Sequence, residues 1–153
     1  MRHWLFKSEP SVFSIDDLKQ RPKQTDYWNG VRNYQVRNFL RDEMKVGDLA
    51  FFYHSNCNPP GIVGVMEVVK TAYPDLTAWD PKSPYYDPTS SPDKPRWFMV
   101  DVKFIKKFKE IISLDQIKSH PDLKNMAVAQ RGNRLSVTPV SGKEWEIILK
   151  IAK

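Results

Sequence analysis

Serine residues that begin short helices divide this chain and limit the folds it can adopt. Ser14 is followed by Asp17, and Ser141 by Glu144, a pattern in which side chains bond the free backbone N–H groups at a helix start. Ser113 supplies a further helix start. The predicted helices cover Ser14 to Lys19, Leu114 to Lys118 and the segment from Ser141 to about Ile151. Such short helices do not give the regular strand–helix alternation of a parallel sheet.

Runs of β-branched and aromatic residues lie between these helices and predict strands. The predicted strands are His3–Phe6, Leu49–His54, Ile62–Val69, Arg96–Phe104 and Arg131–Pro139. We therefore expect an α+β fold, namely a small, mixed and largely antiparallel β-barrel flanked by short helices. A chain of 153 residues is expected to form one domain, which we assign to residues 1–153.

A longer helix is predicted between Asn33 and Met44. Val36, Leu40 and Met44 recur at every fourth position, so they form a stripe that faces the core. The arginines of this segment lie off the stripe, where they can meet solvent or a ligand.

The chain is basic and rich in large rings. Its 24 Lys and Arg residues against 18 Asp and Glu give a net charge of +6, and aromatic residues make up 12% of the chain. Basic residues interleaved with rings suit single-stranded or flipped-out nucleotides better than a membrane. A nucleic-acid partner is therefore expected, although the charge alone would also serve solubility.

The sequence gives no support for membrane, disulfide or zinc chemistry. No apolar run approaches the length of about 20 residues that spans a bilayer, and the start MRHWLFKSEP lacks the apolar stretch of a signal peptide. The single cysteine, Cys57, excludes an internal disulfide, and the histidines do not have zinc-ligand spacing. We predict a cytoplasmic protein without metal or cofactor.

The segment from Tyr27 to Tyr53 carries the residues best suited to hold a flat, polar ring. Trp28 offers a stacking face, and Asn29 and Asn33 can pair with the edge of a base. Arg32, Arg37 and Arg41 could neutralise phosphates along one side of the helix. Alternatively, Trp28 is a buried aromatic at the end of a strand and belongs to the core.

Residues 71–95 predict an ordered loop rather than a linker. They hold six of the twelve prolines, yet they also contain Tyr73, Trp79, Tyr85 and Tyr86. A disordered segment seldom holds so many rings. We expect the loop to pack over one end of the sheet and to have a functional role.

Several long motifs resemble the EVE domain. They are WLFKSEP, DYWNGVRNYQVRNF, FYHSNCNPPGIVGVMEVV, YYDPTSSPDKPRWFMVDV and RGNRLSVTPV, in this order along essentially the whole chain. The EVE domain belongs to the PUA-like superfamily and is similar in plan to the YTH domain. The resemblance implies a barrel of five or six strands and a pocket for a modified base, with C5-modified cytosine as the leading candidate. It also implies a compact bacterial form without the basic extension of nuclear members.

The resemblance places the base-binding residues at three walls. Trp28 and Asn29 form one wall, Lys7, Ser8 and Glu9 a second, and Tyr53, His54, Ser55 and Asn56 the third. Trp79 is the preferred second tryptophan of the cage, in competition with Trp97. The simpler alternatives are a solvated turn at residues 7–9 and a half-buried strand residue at His54.

The phosphate-binding residues expected from the helix and from the RGNRLSVTPV motif are Arg32, Arg37, Arg131, Asn133 and Arg134. A glycine turn with solvated arginines is the alternative for residues 131–134. Lysines 103, 106, 107 and 109 form a basic run that is more typical of a solvated strand end than of a groove for nucleic acid.

These observations favour a non-catalytic module that binds a nucleic acid carrying a modified base, either DNA or RNA. A small nucleic-acid-processing enzyme is one alternative, with Cys57 as nucleophile and His54 as its base, but no third orienting group is evident. The other alternative is a protein-interaction scaffold that uses the aromatic loop at 71–95.

Overall fold

Six strands form one mixed sheet in the computed structural model, which describes residues 2–152. The strands are β1 (His3–Ser8), β2 (Thr25–Trp28), β3 (Leu49–His54), β4 (Gly61–Pro74), β5 (Phe98–Ser113) and β6 (Val137–Val140). Their order in the sheet is β2-β5-β4-β3-β1-β6. Strands β1 and β3 are parallel, and the other neighbours are antiparallel.

The expected α+β class is confirmed. The sheet is not closed into the barrel that was expected. Within the described residues, β2 and β6 are the two edges and do not pair with each other. Two strands are much longer than predicted, since β4 and β5 continue through several register shifts. Such irregularities bend a strand and increase its twist, while the residues on either side of them stay paired. The short strand β2 was not predicted, and β6 covers only the end of the predicted strand 131–139.

Within residues 2–152, four α-helices flank the sheet: α1 (Ile15–Gln20), α2 (Tyr34–Asn38), α3 (Leu114–Ser119) and α4 (Gly142–Ile151). Ser14, Ser113 and Ser141 each form the capping box at their helix start, as the sequence predicted for Ser14 and Ser141. The predicted helix 33–44 is α2 followed by one π-helical turn over Phe39–Glu43. Its apolar stripe is buried as expected.

Alternate residues of the central strands divide the core between the two faces of the sheet. Trp4 and Phe6 of β1 pack in one cluster with the buried residues of α1 and α2, whereas Leu5 packs in the other with α3 and α4. This follows from the period of two along a strand. The sheet is therefore covered by helices on both faces.

The parallel pair β1 and β3 positions the loops that follow it. Ser8 lies opposite His54 in the register, and the backbone N–H of Ser55 donates to the carbonyl of Ser8 at 3.0 Å. Because parallel strands end at the same edge, the turn after β1 and the loop after β3 are neighbours there.

Residues 71–74 of the predicted loop 71–95 belong to β4, and the rest of this proline-rich loop is held by side-chain and backbone hydrogen bonds. The indole N–H of Trp97 donates to Asp87 at 2.7 Å, and that of Trp79 donates to the hydroxyl of Ser90 at 3.3 Å. The backbone N–H of Asp87 donates to the carbonyl of Ala78 at 2.8 Å. These bonds fold the loop back on itself beside the end of β2.

Candidate functional site

A cavity of about 610 Å³ opens where β1 and β2 end. It lies between the turn after β1, the segment after β2, the loop 71–95 and the turn that leads into β6. Seven predicted site residues line it, namely Lys7, Ser8, Glu9, Trp28, Asn29, Ser55 and Arg134. We call this space the first cavity. The structure thus brings together predicted residues from four separate parts of the chain.

Trp28 forms an aromatic wall of the first cavity and is also part of the core. Only 7% of its surface is exposed. Its ring meets Phe6, Phe13 and Phe52 edge to face, with centroids 5.1, 5.9 and 5.3 Å away. Such pairs hold a ring in one orientation. Trp28 is therefore a core residue that also borders the cavity, and its role in base binding stays a prediction.

The segment after β2 is fixed by hydrogen bonds to a buried carboxylate. Asp75 is fully buried and accepts the backbone N–H of Gly30 at 3.0 Å and the guanidinium of Arg32 at 3.1 Å. Asn29 reaches the same group through Thr77, since its amide nitrogen donates to the Thr77 hydroxyl at 3.3 Å. The position of Asn29 in the cavity wall therefore depends on Thr77, which lies 48 positions later in the chain.

Gly30 allows the loop 71–95 to close over the site. Its φ of +80° lies in the left-handed region, and a Cβ placed there would lie 2.7 Å from the ring of Tyr85. Tyr85 also lines the first cavity. Tyr85 and Asp75 were not predicted as site residues, because their partners lie far away in the sequence. The glycine in the WNG motif was the available signal of close packing.

The charged groups of the first cavity are unequally paired. Asp26 accepts from Arg21 at 2.8 Å, and Glu9 accepts from the side chain of Asn56. By contrast, no ion pair within residues 2–152 involves Lys7, and burial lowers the pKa of its amine. An amine in this setting favours a ligand that brings a hydrogen-bond acceptor or a negative charge.

A second cavity of about 430 Å³ adjoins the first and shares Lys7 and Ser55 with it. Four predicted residues line the second cavity and not the first: Tyr53, Asn56, Arg131 and Asn133. Lys118 of α3 completes a basic rim there. A single-stranded polyanion that ran from the first cavity past Lys7 would meet further positive charge in the second cavity.

His54 and Trp79 line neither cavity. His54 accepts the backbone N–H of Ile15 through Nε2 at 3.1 Å, and burial lowers its pKa, which keeps the ring neutral. It therefore helps to hold the start of α1. Trp79 packs inside the loop 71–95, where its N–H is bonded to Ser90. The structure therefore places neither His54 nor Trp79 beside the other predicted site residues in the cavity walls.

The arginines of α2 and its approaches are engaged within the protein. Arg32 donates to Asp75 and to the carbonyl of Tyr85. Arg37 donates to Asn38 and to the carbonyl of Arg96, and Arg41 pairs with Asp42 at 2.8 Å. Arg131 and Arg134 have no such bond within residues 2–152 and are exposed. Among these arginines, Arg131 and Arg134 keep guanidinium groups free of partners in residues 2–152, and their role in phosphate binding stays a prediction.

The comparisons with known proteins agree with this architecture. A model described as the EVE domain matches residues 2–151. The chain belongs to the EVE domain family. Human thymocyte nuclear protein 1 is 49% identical to this EVE domain over 97% of the chain and 73% of its own length. The resemblance stated from the sequence is thereby confirmed.

Solved structures of similar proteins have the same fold as this EVE domain. A Pseudomonas syringae protein superimposes with a TM-score of 0.94 at 46% identity, and 99% of each chain is covered. Human THYN1 protein, in complex with DNA that contains 5-methylcytosine, gives a TM-score of 0.93 at 48% identity and covers 100% of this chain and 98% of its own.

The predicted cytoplasmic location is wrong by this comparison, because the relatives from human and chicken are named as nuclear proteins. The prediction relied on where the chain begins, which is no guide to location. In residues 2–152, no helix has the length and apolar character to cross a membrane, and no group of three or more His, Cys, Asp or Glu side chains is arranged to hold a metal ion.

Proposed function

We propose that this EVE domain binds DNA that carries a C5-modified cytosine, without catalysis, by placing the modified base in the first cavity. The observation that carries the proposal is the composition of that cavity, where an aromatic wall, an amide and an amine without an ion pair in residues 2–152 converge. Trp28 and Phe13 supply apolar contact for the ring and its C5 substituent, while Asn29 and Lys7 supply edge contacts.

The phosphates that flank the base contact basic side chains in the walls of both cavities. Arg134 lies at the first cavity, and Lys118 and Arg131 lie at the second. Contacts of this kind position a strand without reading its sequence. The human THYN1 protein, solved with DNA containing 5-methylcytosine, supports this assignment because it shares 48% of its residues with this chain.

Calorimetric titration tests the proposal with matched oligonucleotides that contain cytosine, 5-methylcytosine or 5-hydroxymethylcytosine at one position. One methyl group contributes about 0.8 kcal/mol by transfer to an apolar site. Packing inside a hydrophobic pocket raises its contribution to about 1–3 kcal/mol, or roughly 10- to 200-fold, so the modified strand should bind better while plain cytosine remains detectable. Equal affinity for all three strands would refute the assignment to C5-modified cytosine.

Two controls accompany the titration. The oligonucleotide is recovered after binding and its mass is measured by mass spectrometry. A binding module should leave this mass unchanged. An RNA strand of the same sequence is titrated in parallel. Conversion of the modified base would instead favour an enzyme.

A further inference from the structure

Asn29 lies at the end of a hydrogen-bond relay that begins at Asp75. The hydroxyl of Thr77 donates to Oδ1 of Asp75, and the oxygen of the same hydroxyl accepts from the amide nitrogen of Asn29 at 3.3 Å. The backbone N–H of Thr77 also donates to Asp75, at 2.9 Å. The relay connects a fully buried carboxylate to the wall of the first cavity.

The relay permits only one orientation of the Asn29 amide. Asp75 is paired with Arg32, so its carboxylate accepts and does not donate. The single proton of the Thr77 hydroxyl is therefore committed to Asp75. A flipped Asn29 amide would place its oxygen against the Thr77 oxygen, with no proton between them. The nitrogen must face Thr77, and the oxygen must face away.

The amide oxygen of Asn29 is open to a ligand. It accepts no hydrogen bond from the residues in the range 2–152, and in the same range no buried side-chain oxygen lacks a partner. The oxygen is therefore accessible, on a residue that lines the first cavity. It offers a fixed acceptor, while Lys7 offers a donor.

This polarity matches cytosine and not thymine. Cytosine presents the N4 amino group as a donor, whereas thymine presents O4, an acceptor, together with its own C5 methyl group. A pocket that sensed only the methyl group would take thymine as readily as 5-methylcytosine. We propose that Thr77 and Asp75 are positioning residues that fix Asn29 as an acceptor, so that the site rejects thymine. This inference rests on the proposed function and deepens it.

Substitution of Thr77 tests the relay. Short single strands that differ only in 5-methylcytosine or thymine at one position are titrated against the wild type, Thr77→Val and Thr77→Ser. A site that hydrogen-bonds a donor rejects the analogue lacking it by far more than a methyl group can, so we expect roughly 100-fold or greater preference in the wild type. Thr77→Val frees the amide to turn, and the preference should fall to less than about 10-fold. Thr77→Ser keeps the hydroxyl and should restore it.

Thr89→Val is the matched control. Thr89 bonds Asp87 through the same pair of contacts, a backbone N–H at 2.9 Å and a hydroxyl at 2.6 Å, in the same loop. It has no bond to Asn29, so its loss should leave the preference unchanged. If Thr89→Val lowered the preference as much as Thr77→Val, general loosening of the loop would explain the result and the relay would be refuted.

A ligand-side test needs no variant. A strand with 5-methyl-2-pyrimidinone, which keeps the methyl group but lacks the N4 amino group, should bind the wild type at least about 10-fold more weakly than 5-methylcytosine. Equal binding of the two strands would overturn the inference. Failure of the proposed function looks different, because the wild type would then not distinguish 5-methylcytosine from cytosine at all.

Discussion

Two glycine-containing segments of this EVE domain, 28–32 and 131–134, share residue types and differ in their anchoring. Gly30 and Gly132 have nearly the same φ, +80° and +79°. A Cβ at Gly30 would meet Tyr85 at 2.7 Å, whereas at Gly132 nothing lies within 4 Å. Arg32 is held by Asp75 and Tyr85, while Arg134 is exposed and unbonded within residues 2–152. The first segment is built into the protein, and the second is open to a partner.

The comparison shows that residue type does not decide whether an arginine serves structure or ligand. A buried carboxylate opposite Arg32 makes its guanidinium part of the scaffold, because an unpaired buried charge is strongly unfavourable. No carboxylate is paired with Arg131 or Arg134 in residues 2–152, so phosphate can take that place. The predictions below test this division, beginning with the largest expected effect.

Trp28→Ala should lower the free energy of unfolding by about 3–5 kcal/mol, the usual cost of truncating a large buried aromatic. The edge-to-face contacts of Trp28 with Phe6, Phe13 and Phe52 make its ring part of the core. Urea unfolding measures the effect, with Tyr27→Ala as the control, since Tyr27 is 45% exposed. A loss below about 1 kcal/mol would mean that Trp28 serves only the ligand.

Arg32→Ala should lower the unfolding free energy by about 3 kcal/mol, the lower end of the range for a broken buried pair, because the side chain of Arg32 is 24% exposed. The change leaves the buried carboxylate of Asp75 without the positive charge of Arg32. Arg134→Ala, the matched control in the other segment, should stay within about 0.5 kcal/mol of the wild type. Equal values for the two variants, from urea unfolding, would remove the distinction between the segments.

The fold could be predicted from the sequence where local signals and packing agree. The strand Leu49–His54 was placed correctly because its apolar and aromatic run is continuous, and α4 because its capping box is intact. The second half of β5 was missed, since the lysines at 106, 107 and 109 suggested a solvated end. These lysines are exposed residues of a strand that still pairs with β4.

The site was predictable only in part. The family motifs directed attention to Lys7, Trp28 and Asn29, which do line one cavity. The roles of Arg32 and Arg134 could not be separated from sequence, because the partner of Arg32 lies 43 residues away in the chain. Long-range side-chain pairing leaves no periodic trace in a single sequence.

Arg131→Ala and Arg134→Ala should each reduce the salt dependence of oligonucleotide binding. Each phosphate contact to a single strand contributes a slope of about −0.7 in log K against log salt, so each variant should flatten the slope by about that amount. Fluorescence anisotropy at several salt concentrations measures it. Lys109→Ala is the control, because this exposed lysine lines neither cavity. Unchanged slopes in both arginine variants would place the phosphates elsewhere.

Lys7 connects the two cavities, and its titration should move stability and binding in opposite directions. Burial lowers the pKa of Lys7 from its ordinary value of 10.5, so the folded state disfavours the charged amine. Between the lowered pKa and 10.5 the unfolded chain binds more protons, and the contribution of Lys7 to stability therefore rises with pH in that window. Binding should weaken over the same window, because the deprotonated amine loses its positive charge and one of the hydrogens that it can donate to the edge of the base.

Comparison with Lys7→Met isolates this effect from other titrating groups. Urea unfolding from neutral pH to about pH 10.5 should show the wild type gaining stability relative to the variant as pH rises. Oligonucleotide affinity should fall with pH in the wild type and change less in Lys7→Met. Parallel pH profiles in both proteins would mean that Lys7 is solvated in the folded state, and its place between the cavities would then be incidental to binding.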